Sequence, residues 1–146
     1  MVRKLALVAV PFIWFGTIAA ISFMEAPLKF QAPGITIPLG LGIGRLVFFA
    51  LNKMELVLAA VFLFSLFGNR SVGTLARSLF VAIVVILGVE TLWLLPVLDA
   101  RAEEVINGTA EPFSRMHFIY IALDAVKLIL LFILGCVTGR RFLSTA

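Results

Sequence analysis

Four long apolar runs, separated by short polar segments, dominate the chain. They cover about Leu5–Met24, Leu46–Phe67, Leu75–Leu98 and Phe113–Val137. A helix needs about 20 apolar residues to cross the roughly 30 Å hydrocarbon layer of a bilayer. Each run is long enough, so the pattern predicts an all-α, polytopic membrane protein with four transmembrane helices packed as a four-helix bundle. The lipid bilayer is then its main partner.

Composition supports the membrane assignment. Of the 146 residues, 62% are hydrophobic and 14% are charged, and the mean hydropathy is +1.16. These values are too apolar for a soluble globular domain, so residues 1–146 are predicted to form a single transmembrane domain. The first run is interpreted as a membrane anchor rather than a signal peptide, because it is long and lacks a good small-residue cleavage site.

The placement of charges predicts the topology. Basic residues flank the membrane on one side, at Arg3, Lys4, Arg70, Arg77, Arg140 and Arg141. Acidic residues concentrate on the other side, at Asp99, Glu103, Glu104 and Glu111. The positive-inside rule then places both termini in the cytoplasm, and we expect a bacterial inner membrane. This bias accounts for the net charge of +4, so no nucleic-acid partner is predicted.

Polar residues interrupt the fourth run at helical spacing. His117, Tyr120, Asp124 and Lys127 fall three, four and three residues apart and therefore share one face. The second run repeats this spacing at Arg45, Phe48, Asn52 and Glu55. Charged side chains are costly in lipid, so these faces should point to protein or water and mark a functional site.

The two polar helices also resemble each other in sequence. Residues 50–58 and 122–130 share four identical positions, and Asn52 aligns with Asp124 and Glu55 with Lys127. The match predicts an internal repeat of two hairpins, about 5–67 and 75–137, in the same orientation. The second and fourth helices would then run parallel, so that Glu55 and Lys127 meet. The predicted intramembrane polar core consists of Asn52, Lys53, Glu55, His117, Tyr120, Asp124 and Lys127.

The outer end of the bundle is predicted to carry a second group of polar residues. A possible site there consists of Arg45, Glu90, Arg115 and Met116. Residues 31–44 are rich in glycine and proline and are expected to be non-helical, as an interfacial connection or a lid. Residues 99–111 are expected to form a polar outer loop.

Several functions fit this pattern. The working hypothesis is transport or binding of a small polar solute, ion or proton along the polar face, where His117 can titrate near neutral pH. Four helices enclose little space, so a homo-oligomer or a subunit of a larger membrane complex is expected. The alternatives are a closed ion-pair network that only fixes helix register, a non-catalytic accessory subunit or assembly factor, and a haem- or copper-binding protein.

The metal-binding and catalytic alternatives depend on few residues. His117 is the only histidine, so it is the only plausible histidine ligand for haem or copper, with Met116 beside it as a soft ligand. The single Cys136 excludes an internal disulfide and a cysteine-based metal cluster. No Ser-His-Asp or two-carboxylate arrangement faces an aqueous pocket, and the chain is not predicted to be an enzyme.

The segment Phe113-Ser114-Arg115-Met116-His117 resembles the Phe-x-Arg-Leu-His pattern of a family of four-helix membrane proteins. This group includes transmembrane protein 205 and copper resistance protein D-like sequences. The series Gly16, Phe23, Pro27 and Phe30 and the pair Gly44-Arg45 are also similar to that family. The resemblance implies four membrane helices and favours transport or metal handling over an assembly role. The chain departs from the family at Asp124, where Asn is usual, and at Lys53, Glu55 and Lys127.

Overall fold

The computed structural model describes residues 1–67, 69, 72–112 and 114–143. Residue 143 is described by its backbone alone. All regular structure in this part of the chain is helical. Four helices are long and apolar enough to cross a membrane, and we call them the first to fourth spans: Val2–Gln31, Ile37–Leu66, Thr74–Ile106 and Arg115–Phe142. The prediction of an all-α bundle with four transmembrane helices is confirmed. The predictions that concern Arg70 and Phe113 lie outside the described residues.

The spans pack as a ring of four. The first span packs against the second and the fourth, and the third span also packs against the second and the fourth. The second and fourth spans therefore lie diagonally opposite, and their inward side chains meet at the bundle axis. The core around that axis contains Leu7, Trp14, Ile18, Phe62, Ile83, Leu87, Leu131 and Leu134. Large apolar side chains also cover the outside, among them Leu46, Phe64, Leu92 and Ile129, as an integral membrane protein in contact with lipid requires.

Two of the spans contain a segment of π-helix. The first span is α-helical over Val2–Ile18 and π-helical over Ala19–Glu25, and it ends in a short α turn at Ala26–Leu28 and a 3₁₀ turn at Lys29–Gln31. The third span is α-helical over Thr74–Val89, π-helical over Glu90–Leu94 and α-helical again over Leu95–Ile106.

Each π-helical segment is followed by a proline, Pro27 in the first span and Pro96 in the third. Proline cannot donate a backbone hydrogen bond, and its ring crowds the carbonyl four residues earlier. The wider π turn relieves that crowding: the amide of Leu95, for example, bonds the carbonyl of Glu90 five residues back. The first helix therefore continues past Pro27 in this widened form.

The two π-helical segments occupy similar places in the two hairpins. They begin at Ala19 and Glu90, nearly the same offset that relates residues 50–58 to residues 122–130. The internal repeat itself stays a prediction.

Two segments that were expected to be loops are partly helical. The second span begins at Ile37, because Thr36 caps its first turn by accepting a hydrogen bond from the amide of Leu39 at 3.3 Å. Pro38 suits this first turn, where no amide donor is needed. The third span continues to Ile106 rather than ending before residue 99, so that acidic residues of the expected loop lie on a helix.

The two ends of the bundle differ in charge. Arg3 donates a hydrogen bond to the carbonyl of Phe67 at 3.1 Å, and the Lys4 ammonium lies 5.9 Å from the centre of the Phe142 ring. The start of the first span and the ends of the second and fourth spans therefore share one end of the bundle. We call this the basic end; its described basic residues are Arg3, Lys4, Arg77, Arg140 and Arg141. The opposite, acidic end carries Asp99, Glu103, Glu104 and Glu111.

The contact between the first and fourth spans is close enough to be tested with one methyl group. A Cβ on Gly135 would lie 2.7 Å from the nearest atom of the Phe12 ring, whereas a Cβ on Gly16 would meet nothing within 4 Å. Phe12 is also held edge-on against Phe132. We expect Gly135→Ala to be less stable than Gly16→Ala by about 1–3 kcal/mol, the usual cost of overpacking. Both variants share any gain in helix propensity, so equal unfolding free energies in detergent would contradict this packing.

Candidate functional site

Lys127 lies at the bundle axis with three carboxylates around its ammonium group. Its Nζ atom is 2.8 Å from Oε2 and 3.1 Å from Oε1 of Glu55, and 2.9 Å from Oδ1 of Asp124. It also donates a short hydrogen bond to Oε2 of Glu90. All four side chains are at most 2% exposed. We call Glu55, Glu90, Asp124 and Lys127 the buried ionic cluster.

Three spans position this cluster near the middle of the bundle. Asp124 and Lys127 are three residues apart in the fourth span and so share a face. Glu55 reaches them from the diagonally opposite second span. Glu90 comes from the third span, where it is the first residue of the π-helical segment. Since π turns in α-helices occur often at functional sites, the position of Glu90 is notable in its own right.

The first span supplies a hydrogen-bond donor to the cluster. Trp14, which is 1% exposed, donates from its indole nitrogen to Oε2 of Glu55 at 2.7 Å. A second polar contact lies nearby, where Asn52 donates to the hydroxyl of Thr91 at 2.7 Å, and Thr91 in turn donates to the carbonyl of Leu87. All four spans thus contribute to one largely buried polar centre.

The buried ionic cluster holds more acids than bases. Three carboxylates surround one ammonium group, and three of the six carboxylate oxygens have no hydrogen-bond partner among the described residues: Oε1 of Glu90 and both oxygens of Asp124. Oδ1 of Asp124 lies at ion-pair distance from Lys127 but outside hydrogen-bonding geometry. Burying a carboxylate without a compensating charge is unfavourable in free energy. Additional positive charge would therefore stabilise the cluster.

The same carboxylates have the composition of a cation site. One oxygen each from Glu55, Glu90 and Asp124 can be chosen so that all three lie within 4.8 Å of one another. The Lys127 ammonium, however, already contacts all three side chains. A metal ion could take this central position only if the ammonium moved away. Protonation of the unpartnered oxygens needs no such movement.

A cavity of about 640 Å³ opens at the acidic end of the bundle, and residues of all four spans line it. We call it the vestibule; its polar and charged lining consists of Ser22, Lys29, Arg45, Asp99, Arg101, Ser114, His117 and Tyr120. The rings of Phe48 and Tyr120 meet edge to face at its base, with centroids 5.4 Å apart. Tyr120 is one helical turn from Asp124. The Phe48–Tyr120 pair therefore separates the vestibule from the buried ionic cluster.

The structure brings together Glu55, Asp124 and Lys127 of the predicted polar core, and it buries Asn52 and Tyr120 close to them. His117 instead lies on the lining of the vestibule with its side chain exposed.

The prediction that Lys53 belongs to the intramembrane polar core is wrong. The structure places it on the exposed side of the second span. At 100° per residue it points away from the face that Asn52 and Glu55 share, and its charge can remain outside the bundle.

The predicted outer-end site is divided by the structure. Glu90 belongs to the buried ionic cluster rather than to the outer end, because the third span continues for four turns beyond it. Arg45 forms a bidentate ion pair with Asp99, at 2.5 and 3.1 Å. Arg115 is exposed, and Met116 packs against the small apolar group around Leu94, Leu95 and Tyr120.

Sequence reasoning missed Trp14 and underrated Glu90. Trp14 lies in the middle of its span, far from the interfaces where membrane tryptophans concentrate. A buried indole usually needs an acceptor for its N–H group, and this requirement pointed to a polar partner in the middle of the bundle. Glu90 is the only charged residue between Arg77 and Asp99, and a lone acid so deep in an apolar run was itself a signal.

Comparison with known proteins finds no match to this chain. No protein-family model, no curated protein and no solved structure matches the chain. The fold and the site define its class: a four-helix integral membrane protein with a buried ionic cluster at its centre. The resemblance to the transmembrane protein 205 group stays a prediction.

Proposed function

We propose that this protein takes up a proton or small monovalent cation at the buried ionic cluster and moves it across the membrane. The observation that carries this proposal is the charge balance of the cluster, in which three carboxylates share one ammonium. An isolated buried charge costs several kcal/mol even after relaxation. The carboxylates in excess over Lys127 therefore have to be neutralised by a bound proton or cation. Ionisable groups in that setting are typical of proton and ion relays.

The proton is the better candidate of the two. The unpartnered oxygens of Glu90 and Asp124 can each accept a proton without displacing Lys127. A proton can also pass between neighbouring carboxylates and the ammonium with small movements. A metal ion would instead have to compete with a lysine already held by three side chains.

Access to the cluster supports the same function. The vestibule leads from the acidic end towards Tyr120, and the Phe48–Tyr120 pair lies between it and Asp124. On the other side, the cluster is followed by a tightly packed apolar core that includes Phe62, Leu131 and Leu134. The structure thus corresponds to a state closed towards the basic end. Transport requires a rearrangement of that core.

We place the protein in a bacterial inner membrane with both termini in the cytoplasm. The basic end gathers Arg3, Lys4, Arg77, Arg140 and Arg141, which the positive-inside rule assigns to the cytoplasmic side. The vestibule then opens to the outside. Reporter fusions at both termini test this orientation.

Proton flux in liposomes tests the proposal. The purified protein is reconstituted with a pH-sensitive dye inside, and a potassium diffusion potential is imposed. We expect the wild type to acidify or alkalinise the lumen faster than protein-free liposomes. Asp124→Asn should reduce the rate to that of protein-free liposomes, because it removes a protonatable group while keeping nearly the same shape.

Glu111→Gln is the matched control, since it neutralises an exposed acid far from the cluster. It should leave the flux unchanged. Equal rates for wild type and protein-free liposomes under both proton and sodium gradients would exclude the proposal. So would an Asp124→Asn variant that is folded and as fast as the wild type.

A further inference from the structure

The vestibule is a cavity distinct from the buried ionic cluster, and its lining is rich in hydrogen-bond donors. Three cationic side chains and one carboxylate line it. The two oxygens of that carboxylate, Asp99, are both taken by Arg45. The remaining polar lining comprises the ammonium of Lys29, imidazole and hydroxyl groups, and the guanidinium of Arg101. That guanidinium already donates to the Glu104 carboxylate and to the carbonyl of Glu111. A ligand that fits such a lining has to carry acceptor atoms and, preferably, negative charge.

Lys29 is the most deeply placed of these cations. Its side chain is 9% exposed, and its Nζ atom contacts Oε2 of Glu25 at 3.3 Å. The ammonium also lies 5.5 Å and 5.6 Å from the ring centres of Phe30 and Phe48. An ammonium has three donors, and Glu25 takes one of them. Among the described residues no other acceptor takes its remaining two donors, which lie beside the rings of Phe30 and Phe48.

The rest of the lining is apolar. Its walls include Phe23, Ile37, Leu41, Leu98, Val105 and Phe118. The volume of about 640 Å³ falls within the usual range of roughly 300–1,000 Å³ for small-molecule sites. A small hydrophilic anion would leave these walls unfilled, and a purely apolar molecule would leave the spare donors of the Lys29 ammonium without an acceptor. The lining as a whole suits a molecule with both parts.

We propose that the vestibule binds a single-chain amphiphile with an acidic head made of carboxylate or phosphate oxygens. The head lies against Lys29 and His117, which both line the vestibule, and the chain follows the apolar walls. Glu25 is the resident partner of Lys29, and the head group takes the free donors beside it. This proposal does not rest on proton transport, because the Phe48–Tyr120 pair separates the two sites.

The test is equilibrium binding of labelled oleate to the full-length protein in phosphatidylcholine nanodiscs, with empty nanodiscs subtracted. We expect saturable binding that dodecyl phosphate competes away. Oleyl alcohol, which has the same chain without the charge, should bind about tenfold more weakly, as should oleate to Lys29→Gln, because each loses a charge-assisted contact. Lys53→Gln removes an exposed lysine from outside the vestibule and should bind oleate like the wild type.

Three results would overturn the proposal. Equal binding of oleyl alcohol would show that charge plays no part. Competition by inorganic phosphate or acetate as strong as that by dodecyl phosphate would assign the site to a free anion. Non-saturable uptake that Lys29→Gln does not alter would mean partition into the bilayer.

A second measurement covers the case in which Lys29→Gln does not fold. In a Cys136→Ser background, His117→Cys places a thiol on the vestibule lining. Oleate should slow its reaction with a maleimide, whereas oleyl alcohol should have a much smaller effect. An unchanged reaction rate with saturating oleate would contradict occupancy of the vestibule.

Discussion

Replacing Lys127 with methionine is expected to destabilise the protein by about 3–5 kcal/mol, the usual cost of removing one partner from a buried ion pair. The substitution keeps most of the side-chain volume, so the loss comes from charge rather than from a cavity. Glu55, Glu90 and Asp124 would be left together in a site that is at most 2% exposed, with no cation between them. Reversible unfolding in nanodiscs or mixed micelles measures the change in free energy of unfolding.

Lys53→Met is the matched control, because it makes the same substitution on the exposed side of the second span. Its stability should equal or exceed that of the wild type, because the substitution removes a charge from the lipid-facing side of the span rather than from the cluster. Combining Lys127→Met with Glu55→Gln should recover part of the loss, since one of the three acids is then neutral. If Lys127→Met unfolds like Lys53→Met, the lysine does not hold the acids together, and the ionic cluster has been assigned the wrong charge state.

Much of the fold follows from the sequence because the bilayer imposes one strong rule. Apolar runs of the required length have to form helices in lipid, where no water can satisfy the backbone. The predicted runs therefore located all four spans. Their ends were harder to place, because helices continue past the hydrocarbon layer. Thr36 and Pro38 start the second span inside a glycine-rich stretch that local propensity alone assigned to a loop.

The polar centre was less predictable than the spans. Helical spacing was sufficient to predict that Asp124 and Lys127 share a face. The similarity between the second and fourth runs predicted that Glu55 lies at the same depth in the membrane. Nothing in the spacing of the third run indicated that Glu90 faces the axis, because the residues before it are almost uniformly apolar and mark no polar face. The side chains after Glu90 were harder still to orient, because a π-helical segment begins there. A π turn rotates all later side chains relative to an α-helix, and only the three-dimensional packing fixes where it falls.

Shortening Phe48 to alanine is expected to open the route between the vestibule and the buried ionic cluster. The Phe48 ring packs edge-on against Tyr120, and this pair closes the base of the vestibule one turn from Asp124. Without the ring, water can reach the unpartnered oxygens of Asp124 from the acidic end. We expect a faster proton flux in liposomes than in the wild type, still abolished by Asp124→Asn in the double variant.

Phe49→Ala separates this effect from simple widening of the vestibule. Phe49 follows Phe48 in the sequence and also lines the vestibule, but among the described residues its ring is not paired with Tyr120. Equal flux in the two variants would move the barrier away from the Phe48–Tyr120 pair. A rise in Phe48→Ala that persists without Asp124 would mean that protons cross by a leak that bypasses the cluster. Flux that rises in Phe48→Ala alone and depends on Asp124 would place the vestibule, the aromatic pair and the cluster on one pathway.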